Sequence, residues 1–130
     1  MADIPEHLKY SDSHCWVELL GDNTARLGIT EYGQQLLGTV TFIELPEKQR
    51  IYSEIEGCAQ IESIDDVKEI YTPLAGEIID VNLDLEENPE LVNIDPYGDG
   101  WLFLLKHNDS NAGDKLMDAG EYAEIVSNGN

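Results

Sequence analysis

The sequence predicts a mostly β domain, a small barrel or sandwich, because short strand-like runs recur along the chain between turn residues. These runs are rich in β-branched and aromatic residues, and Gly, Pro, Asn or Asp separates one run from the next. Helical spacing is confined to two short segments, which is too little for alternating strands and helices around a parallel sheet. At 130 residues, the range 1–130 is expected to form a single domain.

The predicted strands follow one another with few long connections. Residues 1–10 are polar and are expected to lie along the surface, and the acidic segment 82–96 is expected to be a long loop. Turn chemistry at 21–23, at Pro46 and at 98–100 separates the runs. Strands are predicted at 14–20, 24–29, 39–45, 51–55, 58–61, 67–71, 77–81 and 101–106.

Two helices are predicted. Thr30 is a suitable N-cap for the first, Gly38 ends it, and its apolar face is expected to contain Tyr32, Leu36 and Leu37. The second helix follows Asp118, which forms a capping-box pattern with Glu121, and Tyr122, Ile125 and Val126 then recur at helical spacing.

The charge of the chain restricts its partners. Twenty-seven acidic residues against seven basic ones give a formal net charge of −20. Nucleic acids and anionic membranes are polyanions, so neither is an expected partner. The acidity indicates either a generally solvated surface or a specific acidic face that docks onto a basic partner.

The cysteines and the termini indicate a protein of the cytoplasm. Cys15 and Cys58 have no metal-ligand spacing, and a reduced pair is favoured over a disulfide in a chain without a secretory signal. The N-terminus has neither the basic start nor the apolar run of a signal peptide, and no apolar stretch reaches membrane-spanning length.

No self-contained active site is evident in the sequence. A phosphate-binding loop, a zinc-ligand spacing and a nucleophile elbow are all missing, and no catalytic or metal-ligating residues are predicted. His7, His14 and His107 are far apart in the chain and are interpreted as surface or structural residues. A carrier or binding module is therefore favoured over an enzyme.

The stretch 62–76 is the most informative part of the chain. Ser63, Asp65 and Asp66 supply turn chemistry between two strand-like runs, and Pro73 with Gly76 ends the second run. The pattern predicts a β-hairpin whose tip presents a single side chain to large partners.

Motifs along nearly the whole chain resemble the glycine cleavage system H-protein family. In the hairpin these are Glu62-Ser63, Ile70-Tyr71, Pro73 and Gly76-Glu77-Ile78. The most diagnostic, because simple lipoyl and biotinyl domains lack them, are Pro89-Glu90-Leu91-Val92-Asn93, Pro96-Tyr97 and Gly100-Trp101. The resemblance implies a barrel-sandwich hybrid of the lipoyl/biotinyl-carrier (hammerhead) type, with two antiparallel sheets, one short internal helix and a C-terminal helix.

The resemblance also implies a function in glycine catabolism. A lysine of the family carries lipoate as an amide, and the lipoyl arm moves an aminomethyl group between enzymes. The implied partners are glycine decarboxylase, the aminomethyltransferase, dihydrolipoamide dehydrogenase and the enzymes that attach lipoate. The partners supply the catalytic groups, and the carrier supplies the tethered cofactor.

The family's lysine position is occupied by an acid in this chain. That lysine follows Glu-Ser and one apolar residue and precedes the strand proline by eight positions, and both counts lead to Asp65. A carboxylate cannot form a stable amide with lipoate, so no cofactor is expected on this sequence. The nearest amine, Lys68, is expected in the returning strand, and moving it to the tip would disturb the burial expected for Val67 and Ile70.

A second position departs from the family's pattern. The resemblance implies a cleft for the loaded arm at Ser13, Cys15 and Glu69, with an acid usual at the position of Cys15. A thiol supplies no fixed negative charge for a substrate ammonium. Glu69 keeps an acid at the other cleft position.

Two functions of different classes follow. The first is a non-lipoylated, H-like protein that acts by binding or regulating partners. The second is a working lipoyl carrier that is modified at Lys68 or uses an altered site. A substitution introduced at Asp65 into an ordinary carrier is a third explanation, which Cys15 disfavours because it would be a second coincidence.

Overall fold

The computed structural model describes residues 3–109 and 111–129, and in them nine strands form two antiparallel sheets. The strands are β1 (Lys9–Tyr10), β2 (Cys15–Gly21), β3 (Thr24–Ile29), β4 (Val40–Glu44), β5 (Ile51–Tyr52), β6 (Gly57–Ser63), β7 (Val67–Tyr71), β8 (Gly76–Val81) and β9 (Phe103–Lys106). The helices are α1 (Glu31–Leu37), α2 (Asp84–Glu87), α3 (Leu91–Ile94) and α4 (Ala119–Ser127), with a 3₁₀ turn at Ala112–Lys115.

The two sheets differ in size and in role. The larger has the strand order β1-β2-β3-β9-β8-β5, and the smaller has the order β4-β6-β7. The smaller sheet contains the β6–β7 hairpin, so β7 is an edge strand of that sheet. The predicted mostly β architecture and the hairpin are thus both present in the structure.

The main core draws on both sheets. Its fully buried side chains include Leu27 and Leu105 of the larger sheet and Ile61 and Ile70 of the smaller one. In β7, for example, the buried Ile70 lies between the exposed Glu69 and Tyr71, as expected for a sheet that buries one face. Burial of this face holds the hairpin against the rest of the domain.

A second cluster holds the C-terminal helix. The rings of Tyr10 and Tyr122 stack with their centroids 4.7 Å apart, and Leu8 and Trp16 complete the buried set. The capping box predicted for α4 is present, because Asp118 accepts from the backbone of Glu121 and the Glu121 side chain accepts from the backbone of Asp118.

The structure corrects several local predictions. Leu8 and Tyr10 are buried, so the expected surface course of residues 1–10 is wrong at its end, where β1 pairs with β2. The acidic loop 82–96 contains the short helices α2 and α3, whose ends Asn88 and Asp95 close with backbone hydrogen bonds. The strand predicted at 51–55 ends at Tyr52, and Ile55 has a left-handed φ of 67°.

Helix α1 is present but is rotated relative to its predicted face. Thr30 caps it as expected, accepting from the backbone of Gly33 at 3.0 Å. Its buried residues are Gly33 and Leu37, whereas Leu36 is 60% exposed. A Cβ at Gly33 would lie 2.8 Å from the side chain of Ile29, so the missing side chain lets the helix approach β3 on that side. In the described residues no helix combines the length and the apolar character needed to cross a membrane.

Candidate functional site

The hairpin tip is a tight turn built by two of the predicted turn residues. Ser63 and Asp66 close it: the Ser63 amide donates to the Asp66 carbonyl at 2.8 Å, and the Asp66 amide donates to the Ser63 hydroxyl at 3.0 Å. Between them stand Ile64, which is 70% exposed, and Asp65, which is also exposed. The predicted tip is therefore present, and Asp65 lies at its apex.

The position of Lys68 differs from that of the apex. Lys68 is half-buried in β7 and lies directly opposite Ile61, which is fully buried. Residues directly opposite each other in antiparallel strands point to the same face, so the stem of Lys68 lies on the inner face with Ile61 and Ile70.

Val67 does not have the burial that was expected for it. It is 52% exposed, whereas Ile70 is 1% exposed. The two residues are three positions apart in one strand, and an odd separation places them on opposite faces. The prediction was thus correct for Ile70 and wrong for Val67.

Two of the predicted cleft residues lie close together near the start of β2. Burial raises the pKa of the Cys15 thiol, while hydrogen bonds from Ser13 and Ser11 and the charge of Lys68 act in the opposite direction. The hydroxyls of Ser11 and Ser13 are 2.9 Å apart, and the Cys15 amide donates to Ser11 at 3.2 Å. The charge of Lys68 thus acts on the buried Cys15 thiol, although the two residues lie on different strands.

The third predicted cleft residue, Glu69, belongs to the other face of the hairpin. It pairs with the exposed Gln60 across the strands, and its carboxylate lies over the backbone of Gly57 so closely that a Cβ there would overlap it. Cys58 lies near this carboxylate. Burial raises the pKa of the Cys58 thiol to about 12, and the charges of Cys15, Glu56 and Glu69 raise it further.

A surface groove of about 320 Å³ runs beside these residues. We name it the α1–β7 groove, since α1 forms one wall and the edge strand β7 forms the other. Its lining residues are Gly33, Leu36, Leu37, Asp66, Val67, Lys68, Glu69 and Tyr71. The sequence did not predict that Gly33 and Leu36 line a groove. One signal was available: Gly33 lies four positions before Leu37, so the two share a helix face, and a glycine there leaves that face open.

The two cysteines are buried, and two of the histidines make hydrogen bonds within the fold. Cys15 and Cys58 are free thiols and are buried. His14 Nδ1 lies 2.8 Å from the Tyr122 hydroxyl, and His107 Nδ1 accepts from the Asp109 amide at 3.3 Å. Within residues 3–109 and 111–129, no three His, Cys, Asp or Glu side chains are grouped so as to hold a metal ion.

The fold and the projecting hairpin define a class of protein. Two antiparallel sheets, a tight exposed hairpin and a C-terminal helix are the architecture of a lipoyl-carrier barrel-sandwich hybrid. A solved structure of a glycine cleavage system H protein from Mycobacterium marinum is similar to this chain, with a TM-score of 0.88 and 32% sequence identity over 95% of this chain and 99% of that one.

Sequence comparison places the chain in a particular family. The family model described as "Glycine cleavage H-protein" matches residues 8–129. A glycine cleavage system H protein of Thermus thermophilus is 48% identical over 124 residues, covering 95% of this chain and 96% of that protein. One from Alkalilimnicola ehrlichii is 40% identical over 127 residues, covering 98% of each. The chain belongs to the glycine cleavage H-protein family, whose members are carriers rather than enzymes.

Proposed function

We propose that this chain is a glycine cleavage H-protein homologue that carries no lipoyl group and acts as a non-catalytic binding or regulatory protein. The observation that carries this proposal is the residue at the apex of the hairpin. Counting from Glu62-Ser63 and back from Pro73 assigns the family's lipoyl position to Asp65, which is exposed between the two residues that close the turn.

The chemistry of attachment requires an amine. Lipoate is joined to its carrier as an amide, so the carrier must offer a nitrogen that attacks the activated lipoyl carbonyl and remains bonded to it. The Asp65 side chain ends in a carboxylate, and its attack would give an anhydride that water hydrolyses. Because Asp65 is exposed, a partner can reach its side chain. Because that side chain is a carboxylate, a ligase cannot attach lipoate to it.

Lys68 supports the second candidate, a lipoyl carrier with a displaced site, because it is the amine nearest to the tip. Its placement is unfavourable for that role. The stem of Lys68 lies on the inner face opposite Ile61, whereas a modifying enzyme must receive a side chain that projects from the tip. Moving it by three residues would change which residues of β7 face the core, and Ile70 would lose its buried position.

The partners expected for the proposed role follow from the family and from charge. A chain with a net charge of −20 docks most readily onto a basic surface. The candidates are glycine decarboxylase, aminomethyltransferase, dihydrolipoamide dehydrogenase and the enzymes that attach lipoate. A non-lipoylated homologue that binds one of them would compete with, or position, the lipoylated carrier.

Intact-mass spectrometry after co-expression with a lipoate ligase tests the proposal. The wild-type chain and the Lys68→Arg variant are both expected at the mass of the unmodified polypeptide, while a lipoylated H protein expressed in parallel shows that the ligase is active. A lipoyl mass increment on the wild type that Lys68→Arg abolishes would establish the displaced-site carrier instead.

A further inference from the structure

We propose that the outer face of the larger sheet, at strands β9, β8 and β5, packs against the same face of a second copy of this chain to form a two-fold symmetric dimer. The face carries the apolar side chains of Ile51, Ile79 and Leu104 and the charged pair Glu77 and Lys106. This inference goes beyond the proposed function, because it concerns a surface away from the hairpin and holds for a lipoylated or an unmodified chain.

Strand pairing places these side chains on one side of the sheet. Ile51 lies directly opposite Glu77, and Glu77 lies directly opposite Lys106, so the three side chains point the same way. The next residues along β8 and β9, Ile78 and Leu105, are fully buried in the core that the two sheets share. The first set therefore points outward, away from the smaller sheet and its hairpin.

Apolar surface on this face is in contact with water. Ile51 is 74% exposed, and an irregularity in the pairing of β8 between Ile78 and Asp80 leaves Ile79 38% exposed. Leu104 lies opposite Asp80 in β9 and is half-buried. A second copy that covers these apolar side chains removes their surface from water, which favours association.

The charge of this face differs from that of the chain as a whole. The chain has 27 acidic and seven basic residues. In the described part of the chain, strand positions and ion pairs place three cations and three acids on this face: Arg26, Lys48, Lys106, Glu18, Glu77 and Asp80. Two copies repel each other through acidic surfaces, whereas a face with balanced charge allows them to approach.

Glu77 and Lys106 are placed so that two copies can exchange ion pairs. They are neighbours across β8 and β9, yet in residues 3–109 and 111–129 neither has an oppositely charged group within 4.0 Å. A two-fold axis parallel to the strands, midway between β8 and β9, lays β8 of one copy over β9 of the other. Lys106 then meets Glu77 of the second copy, and symmetry repeats the contact on the other side of the axis. Ile79 and Leu104 meet across the axis in the same way.

The dimer leaves both hairpins accessible. The β6–β7 hairpin belongs to the smaller sheet, which lies on the other side of the core from the dimer face. Each dimer therefore presents Asp65 twice, and a partner with two docking sites would bind it with added avidity.

Sedimentation velocity tests the proposal on the full chain, after intact mass has established whether the chain is modified. The dimer result is therefore independent of the lipoylation result. At physiological ionic strength the Debye length is about 8 Å, so long-range repulsion between the acidic copies is screened. A face of this size is expected to give a dissociation constant on the order of 0.1 mM, so the series runs from about 10 µM to about 1 mM.

Charge inversions separate the specific contact from the general charge. Lys106→Glu and Glu77→Lys are each expected to weaken the dimer about tenfold or more, because each places like charges opposite one another at both contacts. Glu77→Lys also makes the chain less acidic, so a general charge effect would strengthen its dimer instead. An equimolar mixture of the two variants should restore the dimer, since opposite charges then meet at both contacts.

A matched pair of substitutions tests the apolar part of the face. Ile51, which lies over Thr24 of the second copy in this arrangement, is 74% exposed, and Ile94 of α3 is 72% exposed. Replacing either by Asp removes the same side chain and adds the same charge. Ile51→Asp should weaken the dimer about tenfold, while Ile94→Asp should leave its affinity within about twofold of wild type.

Four results would overturn the dimer assignment. They are a wild-type chain that stays monomeric at about 1 mM, a Glu77→Lys dimer as strong as or stronger than the wild type, no dimer in the mixture of the two charge variants, and equal effects of Ile51→Asp and Ile94→Asp.

Discussion

The anchor of the C-terminal helix gives a quantitative prediction for Tyr122→Phe. The Tyr122 hydroxyl is buried and lies 2.7 Å from the Thr30 hydroxyl and 2.8 Å from His14 Nδ1. Removing the oxygen deletes two buried hydrogen bonds while the ring remains in place. At about 1 kcal/mol for each bond, with an added cost for partners left with fewer bonds, the substitution should lower the free energy of unfolding by about 2–3 kcal/mol.

Tyr10→Phe is the matched control for this prediction. The Tyr10 ring stacks on that of Tyr122, and within the described residues its hydroxyl donates one hydrogen bond, to the carbonyl of Pro5 at 2.5 Å. The expected loss is about 1 kcal/mol, roughly half that of Tyr122→Phe or less. Urea unfolding followed by tryptophan fluorescence measures both variants. A loss for Tyr122→Phe no larger than that for Tyr10→Phe would refute the claim that this hydroxyl anchors the helix.

Three further substitutions test the backbone, the helix cap and the pH dependence. Ile55→Asn should stabilise the protein by about 0.5–1 kcal/mol in urea unfolding, because Asn tolerates the left-handed φ of 67° better than a β-branched residue and Ile55 is 64% exposed. Asp118→Ala removes the cap on the Glu121 amide and should cost about 1 kcal/mol; a loss near zero would contradict the capping-box assignment. The pKa of Cys58 is raised to about 12 by burial, so the folded chain keeps a proton that the unfolded chain releases at pH ~8.5. The contribution of Cys58 to the free energy of unfolding is therefore fully present below that pH, and it declines by about 1.4 kcal/mol per pH unit as the pH rises toward 12. Cys58→Ala should remove this part of the slope of the free energy of unfolding against pH, measured between about pH 9.5 and 11.

Local sequence signals predicted much of the fold. Strand β3 spans the predicted residues 24–29, and the caps Thr30 and Asp118 both make the expected hydrogen bonds. These features depend on residues within a few positions of one another, such as a side-chain oxygen and an amide two or three residues later. The turn at Ser63 and Asp66 is predictable for the same reason.

The features that the sequence did not predict depend on distant parts of the chain. Leu36 is exposed because Gly33 packs against Ile29 and turns the helix, which the helical spacing of apolar residues alone does not reveal. The α1–β7 groove joins residues 33–37 to residues 66–71, and only tertiary packing brings those segments together. The orientation of the Glu69 carboxylate over Gly57 likewise depends on the pairing of β6 with β7.

In the proposed function, the hairpin keeps the geometry that presents a side chain while the amine is missing from its apex. The decisive test is mass spectrometry of the Asp65→Lys variant co-expressed with a lipoate ligase, with Asp66→Lys as the control displaced by one residue. We expect a lipoyl group on residue 65 of Asp65→Lys and none on the wild type or on Asp66→Lys. A lipoylated wild-type chain would contradict the proposal. A folded Asp65→Lys variant that stays unmodified would contradict the claim that the hairpin keeps the presenting geometry.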